Sequence, residues 1–142
     1  MELKRVICIL FLLIAACYDF RSKKVPWVLL CGGIITAIIL QCLDKNQNAA
    51  DKIISYLPGA VLITVSWITR ESIGYADGLG ILTTGILMGG RHCLFVICIS
   101  LCLVSLTGIV LLILKKADRN TRIPYFPFLF GAEIFAAVLH FI

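Results

Sequence analysis

Long apolar runs separated by short polar breaks constrain this chain more than any other feature. Val6 to Cys17, Trp27 to Leu43, Ile53 to Thr69, Leu79 to Gly90, Cys93 to Leu114 and the stretch after Pro127 to Ile142 are almost free of charge. A helix needs roughly twenty apolar residues to cross a hydrocarbon core about 30 Å thick. Lipid offers the backbone no hydrogen-bond partners, so only helices and closed barrels can span it. The runs predict an all-α polytopic membrane helix bundle of about six transmembrane helices. The fourth, about twelve residues from Leu79 to Gly90 with four glycines, reads as a short, tilted or partly re-entrant helix.

Composition supports the membrane assignment and limits the domain count. Apolar residues make up 61% of the chain and charged residues 15%, whereas roughly a quarter of a soluble domain is charged. In 142 residues the spans leave no room for a sizeable soluble unit, so residues 1–142 are expected to form a single integral-membrane domain. Lys4 and Arg5 followed by Val6 to Cys17 have the layout of a secretory signal, and Ile14-Ala15-Ala16-Cys17 resembles a lipoprotein cleavage site. The spans that follow need no lipid anchor, so Met1 to Tyr18 is read as an uncleaved first helix. The seven cysteines include no C-x-x-C pair and nearly all fall within apolar runs, where they read as small packing residues.

The basic residues orient the bundle. A formal charge of +5 could indicate a nucleic-acid partner, but Lys and Arg lie in clusters between the runs, with no basic stripe, and no nucleic-acid partner is expected. The first, third and fifth loops hold Arg21, Lys23, Lys24, Arg70, Lys115, Lys116, Arg119 and Arg122. The N-terminus and the second and fourth loops hold only Lys4, Arg5, Lys45, Lys52 and Arg91. Cytoplasmic loops carry the excess of positive charge, which predicts both termini outside and puts Asp19 and Asp77 together at the cytoplasmic face.

Those two carboxylates are the leading candidates for chemistry. Asp19 is read at the start of the first polar loop, and Asp77 in Gly74-Tyr75-Ala76-Asp77-Gly78, just before an apolar run resumes. An ionisable group at the membrane edge is costly without a partner, so it is a functional candidate by default. Each also has a simpler reading: Asp19 as a solvated loop or cap residue, and Asp77 as the N-cap of a helix starting at Gly78. As a pair they can do more. Two carboxylates held close do not both ionise easily, so one keeps a proton while the other acts as base on a shared water. Flanking glycines would let a substrate backbone approach Asp77.

Three segments carry a family resemblance. Asp19-Phe20-Arg21-Ser22-Lys23-Lys24-Val25-Pro26 resembles the D-x-R-x-x-x-I-P segment of type IV prepilin peptidases, and Gly74-Tyr75-Ala76-Asp77 resembles their G-x-G-D motif. Ile123-Pro124-Tyr125-Phe126-Pro127-Phe128 resembles their last I-P-F-x-P segment. The resemblance implies an intramembrane aspartic endopeptidase with Asp19 and Asp77 as catalytic residues, and with Arg21, Pro26, Gly74, Gly78, Pro124 and Pro127 as motif and structural support. It implies a prepilin-like substrate cut at its short basic leader, often after a glycine, in the cytoplasmic membrane. Pilus or secretion machinery are possible further partners, and neither a cofactor nor a metal is expected. The chain is similar to short, peptidase-only members, so methyltransferase activity is not expected. It departs from the pattern at Ala76, which replaces the second glycine, at Leu79, where many members have lysine, and at Trp27, where asparagine is usual.

Two other functions stay open on the sequence: a small proton- or cation-coupled transporter or channel subunit using Asp77 or Glu133, and an inactive scaffold with the peptidase fold. Glu133 lies inside the last apolar run and is expected to hydrogen-bond within the bundle in its neutral form. His92 is placed in an outer turn, away from the aspartates, and both it and His140 are read as interfacial.

Overall fold

A computed structural model describes residues 2–22, 25–44, 49–69, 74–114 and 124–141. These form six helices, α1 (Glu2–Ser22), α2 (Trp27–Leu43), α3 (Ala49–Ile68), α4 (Tyr75–Met88), α5 (Gly90–Ile113) and α6 (Phe126–Phe141), with no strand among the described residues. The protein is an all-helical membrane bundle. Helices 50–68 and 90–113 are each long and apolar enough to cross a membrane, while 27–43 and 126–139 are apolar but shorter. Large apolar side chains are exposed on the outer faces, among them Val28, Ile39, Leu57, Leu106 and Val138, as lipid-facing surfaces require.

The core is built around the shortest of the interior helices. In α4, nine of fourteen residues, from Gly78 to Gly80, Ile81 and from Thr83 to Leu87, are buried, and the helix packs against α1, α2, α3 and α5. At 1.5 Å per residue it is about 21 Å long, less than the thickness of the hydrocarbon core. The surrounding helices bury narrow stripes in the core. Cys8, Phe11, Leu12, Ala15, Ala16 and Asp19 on α1 recur at helical spacing. The same spacing joins Cys93, Val96 and Ser100 on α5, and Phe126, Leu129, Ala132, Glu133 and Ala136 on α6.

Small residues set how close α3 and α4 come. A methyl group at Gly59 would lie 2.5 Å from the Leu82 Cα, and one at Gly85 would collide with the Ser55 carbonyl oxygen. Backbones this close are a recurrent solution in lipid, where packing rather than water exclusion drives association. Gly85 and Gly89, four residues apart, are not equivalent in this packing, since only Gly85 faces α3. Gly89 meets nothing within 4 Å, and its requirement is conformational, since φ is +93° where α4 ends and α5 begins.

Several helices begin or end about one turn from where the apolar runs do. α1 continues to Ser22, so Asp19 lies on a helix rather than in a loop. Nothing between Asp19 and Ser22 breaks a helix, and Arg21 in the last turn suits its dipole. α2 keeps the expected bounds but starts just after Pro26, whose carbonyl accepts the Leu29 and Leu30 N–H groups at 3.0 and 3.4 Å. α4 starts at Tyr75, which takes Asp77 into its first turn with Gly74 as N-cap. α5 starts at Gly90, so Arg91 and His92 are helical and the turn narrows to Gly89.

Candidate active site

Four helix ends meet at one end of the bundle: the C-terminus of α1 and the N-termini of α2, α4 and α6. The inward stripe of α1 ends in Asp19, whose side chain is nearly buried, 9% exposed. Its Oδ2 accepts the backbone N–H of Phe126 at 3.1 Å, and the Tyr125 N–H also faces this carboxylate. Phe126 is the first residue of α6, where N–H groups have no partner within the helix and the dipole favours negative charge. Pro127 occupies the next position, where a missing N–H costs nothing. The last motif segment thus supplies the donor that holds the first motif's carboxylate.

Asp77 approaches from α4. Its N–H donates to the Gly74 carbonyl at 3.0 Å, and its carboxylate folds back over Gly74 so closely that a methyl group there would lie 2.7 Å from Oδ2. Gly78 is equally constrained, since a methyl group would come within 2.9 Å of Ile63 on α3. One turn on, Gly80 lies beneath the ring of fully buried Phe126, where a methyl group would approach the ring edge at 2.5 Å. Phe126 therefore touches both halves of the site: its backbone holds Asp19 and its ring rests on the helix carrying Asp77. The two carboxylates lie within electrostatic range of each other. Two carboxylates in electrostatic range do not both ionise easily, which is the first requirement for one to act as acid and the other as base on a shared water.

The remaining motif residues surround this pair without all touching it. Pro26 caps α2 at this end, and Arg21 is exposed in the last turn of α1. Pro124 and Pro127 bracket the start of α6 and are partly buried. Trp27 and Tyr75 bring the starts of α2 and α4 together, with ring centroids 5.9 Å apart and planes tilted by 34°. Leu79 points into the apolar core, 8% exposed, and Ala76 packs against it. Lys23, Lys24, Arg70, Glu71, Ile123 and the basic residues from Lys115 to Arg122 lie outside the described residues.

A second polar group lies two helical turns along α6. Glu133 is fully buried and both its oxygens are within hydrogen-bond distance of His92 Nε2, at 3.1 and 3.0 Å. Sequence reading separated these residues, placing His92 in a turn; as part of α5, His92 reaches inward to α6. Replacing Glu133 with alanine removes the partner of a partly buried imidazole, a loss of about 1–3 kcal/mol. The expected result is a lower thermal midpoint in detergent, with a smaller drop for Glu133→Gln, which keeps an acceptor. The sequence also gave no reason to single out Ser100, whose Oγ lies 2.7 Å from the Tyr125 hydroxyl. A serine in an apolar span commonly bonds its own helix, and Ser100 also donates to the Ile97 carbonyl.

The sequence model of the type IV leader peptidase family matches residues 6–113. The match takes in Asp19 and Asp77 and ends before the segment at the start of α6. No curated protein and no solved structure matches the chain.

Proposed function

The chain belongs to the type IV leader peptidase family, and on that premise we propose that it is an intramembrane aspartic endopeptidase acting on prepilin-like proteins. Family membership makes it a peptidase with prepilin-like substrates. The aspartic mechanism and its two residues are our reading. The observation that carries it is the convergence of Asp19 and Asp77 at one end of the bundle, joined through Phe126.

In this mechanism a water sits between the carboxylates. Asp19, held in place by the Phe126 N–H of α6, takes a proton from the water as its oxygen attacks the scissile carbonyl. Asp77, half-buried in the first turn of α4, holds the proton shared by the pair and gives it to the carbonyl oxygen. Collapse of the tetrahedral intermediate breaks the C–N bond, and the proton on Asp19 passes to the leaving amine. Asp77 then regains a proton from the product acid. In this reading the site lies at the cytoplasmic face of the inner membrane with both termini outside, an orientation that the excess of Lys and Arg in the first, third and fifth loops supports. A short basic leader would then be cut on the cytoplasmic side of the substrate's apolar stem.

The test is the purified protein in liposomes with a prepilin-like substrate carrying a basic leader before an apolar stem. Mass spectrometry should show one cut on the cytoplasmic side of the stem. The rate should fall at both pH extremes, because the pair works only with one proton between two carboxylates. An uncut substrate across the whole pH range would overturn the proposal. Ion flux that depends on Asp77 or Glu133 but not on Asp19 would favour the transporter instead.

A further inference from the structure

Asp19 is held from α6, and α6 itself must be held at that end. Two side-chain contacts hold the start of α6 among the described residues. The Phe126 ring is seated on Gly80, and the Tyr125 hydroxyl lies 2.7 Å from Ser100 Oγ on α5, where Ser100 is fully buried. Tyr125 stands directly before the residue whose N–H reaches Asp19, and its hydroxyl is within electrostatic range of Asp77. One end of this hydroxyl pair, Ser100, is fully buried, so the loss of its partner leaves it without a ready replacement and favours this geometry.

We propose that the Tyr125–Ser100 hydroxyl pair is a positioning latch for the reaction: it fixes the start of α6 on α5 and so sets where the Phe126 N–H holds Asp19. This rests on the aspartic reading above. Neither hydroxyl touches substrate; both act through the carboxylate. Displacement of a reacting group by about 1 Å can cost 10²-fold in rate, and the latch guards against a smaller shift than that, because the Phe126 ring still seats the helix.

The experiment measures kcat, KM and the pH profile for Tyr125→Phe, Ser100→Ala, their double variant and Ser100→Thr, beside wild type and Asp19→Asn. Each single loss of the hydroxyl bond should lower kcat about ten-fold, the equivalent of one typical hydrogen bond, with KM unchanged. The pH profile should shift, since the donors around Asp19 move. The double variant should be no slower than either single one, and Ser100→Thr should restore most of the rate. Wild-type kcat and pH profile in both single variants would overturn the latch, as would losses that multiply in the double variant. A rate loss that tracks only the fraction of folded protein, with an unshifted pH profile, would also overturn it. If Asp19→Asn cleaves at the wild-type rate, the aspartic reading itself has failed; if that variant is dead while Tyr125→Phe is normal, only the latch has.

Discussion

Asp77→Asn is expected to remove cleavage of a prepilin-like substrate while the protein still accumulates in the membrane at wild-type levels. The amide has nearly the same shape as the carboxyl group but cannot give the carbonyl oxygen a proton and regain one from the product acid. Positioned acid–base groups supply roughly 10²- to 10⁴-fold in rate, and a pair acting on one water should show the upper part of that range. The fold should not suffer. Gly74 accommodates the side chain at position 77 in either form, and the substitution removes one of two carboxylates in mutual electrostatic range. A thermal midpoint equal to or above that of wild type, together with an intact substrate, is the expected combination. A fall in both would point to a structural role for Asp77.

The second large effect is expected at Gly85. The obstacle to a side chain there is the Ser55 carbonyl of α3, part of a helix backbone that cannot swing aside as the end of a long side chain could. Gly85→Leu must therefore push α3 from α4, and the contacts at Gly59 and Gly78 on the same interface would open with it. Overpacking a well-fitted core costs about 1–3 kcal/mol, and rigid backbone on one side puts this case at the upper end. The measurement is the yield of monodisperse protein and its thermal midpoint, both expected to fall sharply. Gly108→Leu is the comparison, since a side chain there meets nothing within 4 Å and should leave both unchanged.

Much of the fold could be read from the spacing of apolar residues, because lipid allows few alternatives to a helix. The ends were less legible, for a local reason. A run of apolar residues marks where lipid is, and a helix can continue past it into polar sequence. That is why α1 carries Asp19 in its last turns and α4 carries Asp77 in its first. The stripe of Cys8, Leu12, Ala15 and Asp19 was present in the sequence as a helical period, and it points Asp19 inward. The motif glycines were legible as positions beside a carboxylate, though their neighbours were not: only the packing of α3 and α6 shows that Gly78 faces Ile63 and Gly80 faces Phe126. The pairs His92 with Glu133 and Tyr125 with Ser100 join residues 41 and 25 positions apart. Glu133 and Ser100 are polar residues in apolar spans, which indicates that each needs a partner but not which one.

The departures at Ala76 and Leu79 also gain a physical meaning. Leu79 is part of the apolar core beneath the site, so a lysine in its place would have to bury its charge or leave the core. Ala76 packs its methyl group against the same core. Both substitutions are accommodated by packing, and neither removes a carboxylate from the pair.

The central claim is that Asp19 and Asp77 act as one unit, and it is tested most directly by the single-turnover rates of wild type, Asp19→Asn, Asp77→Asn and the double variant on one substrate. Groups that share a water and a proton fail together, so each single variant should lose nearly all the activity and the double variant should be no slower than either. Wild-type cleavage by Asp19→Asn, or losses in the two single variants that multiply in the double, would contradict it.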